Sequence, residues 1–146
     1  MAQTSIFKLI HMIEQMNNEN IVRFTKAFPY PLGISPILVL SELRIKGPLK
    51  QAELAETIGY TKGAMTSIAT KLVDLGLARR LYDDNDRRTI RMEITNEGVN
   101  ALIKAQSIGK GVYIQLFEVL NDEEIAQYLS IQEKLVQGIQ EKKLQS

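Results

Sequence analysis

The period of the apolar residues changes within residues 61–95, which read TKGAMTSIATKLVDLGLARRLYDDNDRRTIRMEIT. Thr61 is a typical helix N-cap, and the apolar residues behind it recur at helical spacing: Met65, Ile68, Leu72 and Leu75. After Gly76 the period becomes two, so residues 77–82 and 89–94 are expected to be strands. The polar run between the strands is typical of a hairpin turn. This stretch therefore predicts a helix, 61–75, followed by a β-hairpin.

The residues before this stretch add two further helices. A short helix fits residues 50–58 and ends at Gly59, close enough to helix 61–75 for a helix-turn-helix. The helix before it is expected to start with Ser35 as N-cap and Pro36 at its first position, and to end near Lys46. A helix-turn-helix followed by a hairpin is a winged helix, which we place at residues 35–98.

Long helices are expected on both sides of this domain. Residues 5–27 have helical apolar spacing, Thr95 caps a helix that runs to about Leu120, and Asn121-Asp122 opens a last helix. These helices carry more apolar residues than a small winged helix can cover, so a second copy of the chain is expected to bury them. The fold class is mainly α with a small β-hairpin wing, and residues 1–34 and 99–146 are expected to form the dimer.

Composition excludes several classes of function. The chain has 146 residues, one histidine and no cysteine, which rules out disulfides, thiolate chemistry and histidine-rich metal sites. We find no catalytic motif, and therefore expect no enzyme, no cofactor and no metal. No apolar run approaches the roughly 20 residues of a membrane span. We expect a soluble, cytoplasmic protein that does not contact a membrane.

The charge is unevenly distributed although the net charge is only +1. Residues 60–82 hold four basic side chains and one acidic side chain, whereas residues 118–146 hold three basic and six acidic ones. The middle of the chain could therefore face an anion, and the C-terminal end should not.

Helix 61–75 has the composition that a DNA-reading helix needs. Opposite its apolar face lie short or polar side chains, which let a helix approach base edges in the major groove. Lys62 at the N-terminus is unfavourable for the helix dipole by up to about 1 kcal/mol, and a phosphate would reverse that penalty. The candidate DNA contacts on this helix are Thr61, Lys62, Gly63, Thr66, Ser67, Thr70 and Lys71.

The hairpin supplies the remaining candidate contacts. Arg87 and Arg88 lie at its tip, where a long cation can enter a minor groove, and Arg79 in the first strand can reach a phosphate. We expect Asp86 to pair with Arg88 or a neighbouring arginine and to stiffen the tip.

These residues resemble the MarR family (multiple antibiotic resistance regulators) over Ser35–Gly98. The matching pieces are Gln51-x-Glu53-Leu54-Ala55, Thr61–Thr66, Leu72-x-x-x-Gly76-Leu77-x-x-Arg80, and Asp86-Arg87-Arg88 ahead of Glu93-Ile94-Thr95-x-x-Gly98. The resemblance implies a homodimeric regulator, usually a repressor, that binds a palindromic operator in double-stranded DNA. It also implies that helix 61–75 enters the major groove and the wing the minor groove.

The resemblance further implies a small aromatic or phenolic effector, held between the dimer helices and the winged domain. The candidates by position are His11, Met12, Gln15, Met16, Ile34, Leu38 and Arg44. An alternative function remains open at this point, a winged-helix protein-interaction module without a specific operator, because the overall charge is near neutral. The target genes, the operator bases, the sign of regulation and the effector are not specified by the sequence.

Overall fold

The computed structural model describes residues 3–85 and 88–145. It contains the predicted helices and hairpin in the predicted order, and the fold class is confirmed. The elements are α1 (Gln3–Ala27), α2 (Ile34–Lys46), β1 (Leu49–Lys50), α3 (Gln51–Ile58), α4 (Lys62–Asp74), β2 (Ala78–Tyr82), β3 (Ile90–Ile94), α5 (Asn96–Phe117) and α6 (Asp122–Gln145). The chain divides into two compact units, residues 1–110 and residues 111–146.

The first unit has one hydrophobic core, to which α2, α3, α4, the sheet and the first half of α5 contribute. Its largest side chains are almost completely buried: Val39, Leu40, Leu43, Leu54, Met65, Leu72, Leu77, Met92 and Leu102. Each such side chain adds about 1.5–3 kcal/mol relative to an exposed one. Because α4 inserts three of its residues into this core, the orientation of its outer face is fixed.

The sheet has three antiparallel strands in the order β1-β3-β2, whereas the sequence predicted only the hairpin. The additional strand, β1, has two residues, and Leu49 lies opposite Met92 of β3. Two residues after Pro48 cannot show an alternating pattern, and this strand exists because β3 offers it an edge. β1 thus ties the start of the helix-turn-helix to the wing.

The expected N-cap at Ser35 is wrong. Helix α2 begins earlier, at Ile34, and its N-cap is Gly33. Pro36 still fits because the first-turn N–H groups of a helix have no intrahelical partner. The Ser35 hydroxyl instead hydrogen-bonds the Tyr60 hydroxyl at 2.7 Å, which joins α2 to the turn of the helix-turn-helix.

Thr95 caps α5 as predicted. Its Oγ1 accepts a hydrogen bond from the Gly98 N–H at 3.0 Å and donates one to the Gly76 carbonyl at 2.7 Å. One hydroxyl therefore connects the end of the wing, the turn after α4 and the start of α5. Helix α5 is continuous through Gly109 and Gly111 and ends at Phe117, three residues earlier than expected.

The second unit contains the end of α5 and all of α6. Asn121 and Glu124 form a reciprocal cap at the start of α6, because each side chain accepts from the other residue's N–H, at 2.8 and 3.0 Å. The rings of Phe117 and Tyr128 lie 5.8 Å apart and line an apolar cavity of about 270 Å³. No residue of α6 is buried. Seven large aliphatic side chains of this helix are 41–88% exposed.

Candidate nucleic-acid interface

The turn between α3 and α4 is short and strictly defined. Gly59 adopts the left-handed conformation (φ 86°), and the N–H groups of Gly59 and Tyr60 both donate to the Ala55 carbonyl at 2.9 Å. Thr61 Oγ1 then accepts from the Ala64 N–H at 3.1 Å and caps α4, as predicted. The start of α4 is therefore set by local hydrogen bonds.

The inner face of α4 is formed by Met65, Ala69 and Leu72, each 0% exposed. Ile68 and Leu75, which the apolar spacing predicts on this face, are only half-buried. Ala69 is as completely buried as the other two residues of this face, so a larger side chain there would overpack the core.

The outer face of α4 is exposed and includes every residue that the sequence analysis singled out on this helix: Thr61, Lys62, Gly63, Thr66, Ser67, Thr70 and Lys71. Four of them line a shallow depression of about 450 Å³ together with Asp74 and Leu75. This depression is mostly formed by short side chains with one cation, Lys71, and one anion, Asp74. Such a surface can approach a groove closely and can offer hydroxyl, methyl and ammonium groups to base edges.

Two residues from other elements contact this face, and the sequence analysis missed both as site residues. Gln51, the first residue of α3, donates through Nε2 to Thr66 Oγ1 at 3.4 Å. Thr66 Oγ1 in turn donates to the Lys62 carbonyl at 2.9 Å. Gln51 had been noted only as part of a family motif, and its spacing in the sequence does not show that it reaches α4.

Arg80 of β2 is the second missed residue. Its Nη2 donates to Thr70 Oγ1 at 3.3 Å, which brings a guanidinium from the wing to the exposed face of α4. This cation adds to the positive charge of the outer face. The contact depends on how β2 packs against α4, and no local pattern could have predicted it.

The predicted phosphate contact Arg79 lies on β2 opposite Glu93 of β3. Its Nε donates to Glu93 Oε1 at 2.7 Å, while the arginine side chain stays 64% exposed. An exposed pair of this kind contributes about 0–1 kcal/mol to stability. It orients the guanidinium across the strands without removing it from solvent.

The turn of the wing uses part of its acidic charge internally. Asp83 Oδ1 accepts from the Asn85 N–H at 2.9 Å, and the Asp83 N–H donates to the Thr89 carbonyl at 3.2 Å. Arg88 is exposed at the end of this turn. Asp86 and Arg87, the predicted tip brace and a predicted DNA contact, lie outside the described residues.

The seven effector candidates lie on α1 and at the start, middle and end of α2. Met12, Ile34 and Leu38 are 44–49% exposed, Met16 is half-buried, and the polar candidates His11, Gln15 and Arg44 are exposed. A single chain thus leaves these apolar side chains in contact with solvent. Helices α1 and α2 alone therefore do not enclose a site built from these residues.

Within residues 3–85 and 88–145, no three histidine, aspartate or glutamate side chains are grouped so that they could hold a metal ion. None of the helices in this part of the chain has the length and apolarity to span a membrane.

The pKa of Tyr30 is raised, chiefly because its hydroxyl donates a hydrogen bond to the Glu97 carboxylate.

A family model with the description "MarR family" matches residues 34–90, which cover α2 to the start of β3. The HTH-type transcriptional repressor MdtR of Bacillus subtilis (strain 168) is 31% identical over 108 residues, covering 73% of this chain and 70% of MdtR. The resemblance found in the motifs of residues 35–98 is therefore confirmed by the family model and by this relative.

Solved structures of other proteins show the same fold. The crystal structure of YusO protein from Bacillus subtilis has 25% sequence identity and a TM-score of 0.74, and covers 94% of this chain and 99% of YusO. A mutant MarR from E. coli complexed with operator DNA shares the fold, with a TM-score of 0.71 at 22% identity, over 90% of this chain and 95% of that one. By sequence and by fold, this chain belongs to the MarR family of winged-helix, DNA-binding transcriptional regulators, which are not enzymes.

Proposed function

We propose that the protein is a homodimeric repressor that binds a roughly palindromic operator, with one α4 in each of two successive major grooves about 34 Å apart. The observation that carries this proposal is the outer face of α4, where short polar side chains and Lys71 are exposed above a firmly buried inner face. In this proposal residues 35–98 bind DNA, and residues 1–34 and 99–146 form the dimer. The repressor role is supported by the relative MdtR, which carries that name.

The contacts divide into two classes. Lys62, Lys71 and Arg79, with Arg87 and Arg88 of the wing, would neutralise phosphates and give affinity, while Thr66, Ser67 and Thr70 would face base edges and give specificity. Thr61 and Gly63 lie at the N-terminus of α4, where a helix can approach the DNA backbone closely. Arg80 would also contact a phosphate, because its guanidinium lies beside Thr70 on the outer face of α4.

A second copy of the chain is supported by the exposed apolar side chains of α1 and α6. On α6 the residues Leu129, Leu135 and Ile139 are 55–58% exposed, and on α1 Phe7 is 68% exposed. Helices with such surfaces are unfavourable in water unless another molecule covers them. In a two-fold dimer the same patch would be buried on both subunits.

The proposed effector is a small aromatic or phenolic molecule. Met12, Met16, Ile34 and Leu38 would supply the apolar wall, and His11, Gln15 or Arg44 would orient a hydroxyl or carboxylate. Such a molecule would regulate the protein only if it prefers one separation of the two α4 helices, because equal affinity for both states shifts no equilibrium.

The experiment that tests DNA binding is fluorescence anisotropy on the DNA upstream of the protein's own gene, against a scrambled duplex, at two salt concentrations. Binding to the upstream DNA alone, falling steeply with salt, is the expected result. Lys71→Ala and Arg88→Ala should weaken binding without unfolding the protein. Lys134→Ala removes an exposed cation from α6 instead and should have no effect.

Equal binding to both duplexes, or none, would count against an operator at this site. The alternative, a winged-helix module that contacts another protein, predicts that Lys71→Ala and Lys134→Ala behave alike in the anisotropy assay. The two functions are therefore separated by this pair of variants.

A further inference from the structure

Thr66 differs from the other hydroxyl residues expected to face DNA, because its hydroxyl is already used twice. The single hydroxyl proton is donated to the Lys62 carbonyl at 2.9 Å, one helical turn back. A lone pair of the same oxygen accepts from Gln51 Nε2 at 3.4 Å. A threonine hydroxyl has one proton to donate, so Thr66 cannot also donate to a base acceptor without breaking the bond to its own helix.

The two bonds also fix the rotamer of Thr66. Oγ1 is held toward the backbone carbonyl of the preceding turn, and a β-branched side chain then has its methyl group in one defined direction. The residue remains exposed on the outer face of α4. The methyl is consequently the part of this exposed side chain that has no polar partner.

We propose that Thr66 is a specificity-determining residue that recognises the 5-methyl group of a thymine, and that Gln51 is the positioning residue that holds it in this orientation. This inference rests on the proposed function, in which α4 lies in the major groove. Among the four bases only thymine presents a methyl group there, and an apolar contact with a threonine methyl is a known form of readout. If the side chain were free to rotate, it could turn either its hydroxyl or its methyl group toward a base, and it would discriminate less between the four bases.

The test uses duplexes that the wild-type dimer selects from a library of randomised double-stranded DNA. In the selected duplex each thymine is replaced in turn by deoxyuridine, which pairs identically but lacks the methyl group. Burial of one methyl corresponds to about a fourfold change in affinity. We expect one thymine in each half-site to show a loss of about that size.

Variants assign the effect to the side chain. Thr66→Val cannot make either hydrogen bond, but valine has one strongly preferred rotamer in a helix and keeps a methyl group, so this variant should keep the preference for thymine over deoxyuridine. Thr66→Ser keeps the hydroxyl without the methyl and should bind both equally at that position. Gln51→Ala should bring the ratio of the affinities for the thymine and deoxyuridine duplexes closer to one, although Gln51 itself is not proposed to contact the DNA. Thr57→Ser makes the same chemical change at an exposed position of α3 and is the matched control.

The outcomes are distinct. If the wild type selects a duplex but tolerates deoxyuridine at every position, or if Thr66→Val loses the preference as Thr66→Ser does, the inference is wrong while the proposed function stands. If Gln51→Ala keeps the full preference, Gln51 has no positioning role. If no duplex is enriched, the proposed function fails, and this inference fails with it.

Discussion

The Tyr30 hydroxyl donates a hydrogen bond to Glu97 Oε1, with 2.6 Å between the two oxygens. This bond connects the segment between α1 and α2 with the first turn of α5, 67 residues later in the chain. The Tyr30 ring also contacts Phe28, at 5.3 Å between centroids. One phenol thus links the end of the α1 helix, through Phe28, to the helix that follows the wing.

The bond should stabilise the fold only while Tyr30 is protonated. The carboxylate of Glu97 accepts a hydrogen bond from the protonated phenol and so raises the pKa of Tyr30 above its ordinary value of 10.0. A folded-state pKa above the unfolded one means that the contribution is complete below about pH 10 and is lost as the pH rises through the folded value. Tyr30→Phe should therefore lower the urea midpoint at pH 7–9, and the difference from wild type should vanish at higher pH.

Tyr82→Phe is the control, because it removes a phenol hydroxyl from an exposed side chain of the wing. Its effect on the urea midpoint should be small at each pH. A Tyr30→Phe difference that stays constant from pH 8 to well above pH 10 would show that the bond to Glu97 is not its cause.

Gly98 lies at a point where no side chain fits. A Cβ at this position would come within 2.0 Å of the Leu77 carbonyl oxygen and 2.8 Å of Ile94 Cγ1. That carbonyl accepts from the Thr95 N–H at 3.1 Å and cannot move without breaking the bond. Gly98→Ala should separate α5 from the wing and lower the unfolding free energy by at least about 2 kcal/mol, measured by thermal or urea denaturation.

Gly63→Ala is the matched substitution, since a Cβ at Gly63 meets no atom within 4 Å. Inside a helix this change is expected to stabilise by up to about 1 kcal/mol. If α4 approaches DNA closely at its N-terminus, the same variant should bind operator DNA more weakly although it is more stable. Equal stability losses for both glycine variants would contradict the packing argument for Gly98.

The elements that the sequence predicted well are those with local causes. Thr61 and Thr95 are predicted helix caps and Asn121 a predicted helix start, and each of the three side chains accepts from a backbone N–H three residues later. Gly59 was expected to end a helix and adopts the left-handed conformation that favours glycine. Caps of this kind depend on four or five consecutive residues, and the sequence contains all of that information.

The features that the sequence did not predict depend on contacts between distant residues. β1 is a strand only because Leu49 pairs with Met92, and Ser35 is not a cap because its hydroxyl is bonded to Tyr60. Gln51 and Arg80 reach the outer face of α4 from two different elements. Their presence at the candidate interface follows from packing, which no local spacing records.

Arg80 offers a test of that packing. Its bond to Thr70 Oγ1 places a guanidinium beside the outer face of α4, so Arg80→Ala should remove one phosphate contact and weaken DNA binding. The slope of log affinity against log salt should fall by about one in that variant. Arg80→Lys keeps the charge and should restore most of the salt slope. If Arg80→Ala leaves both affinity and slope unchanged, Arg80 braces the fold and does not contact DNA.

The exposed apolar residues Leu129, Leu135 and Ile139 of α6 provide a test of the proposed dimer. Leu135 is 57% exposed in the single chain, and if a two-fold interface buries it, each dimer buries it twice. Two leucines at about 1.5–3 kcal/mol each correspond to at least a hundredfold change in dissociation constant. If the proposed dimer forms, Leu135→Glu should therefore shift the protein toward monomer, relative to wild type, in sedimentation velocity over a concentration series. Ile45→Glu introduces the same charge on α2, at a side chain that is 75% exposed, and should leave the dimer intact. If wild type and Leu135→Glu sediment alike, α6 does not form the interface.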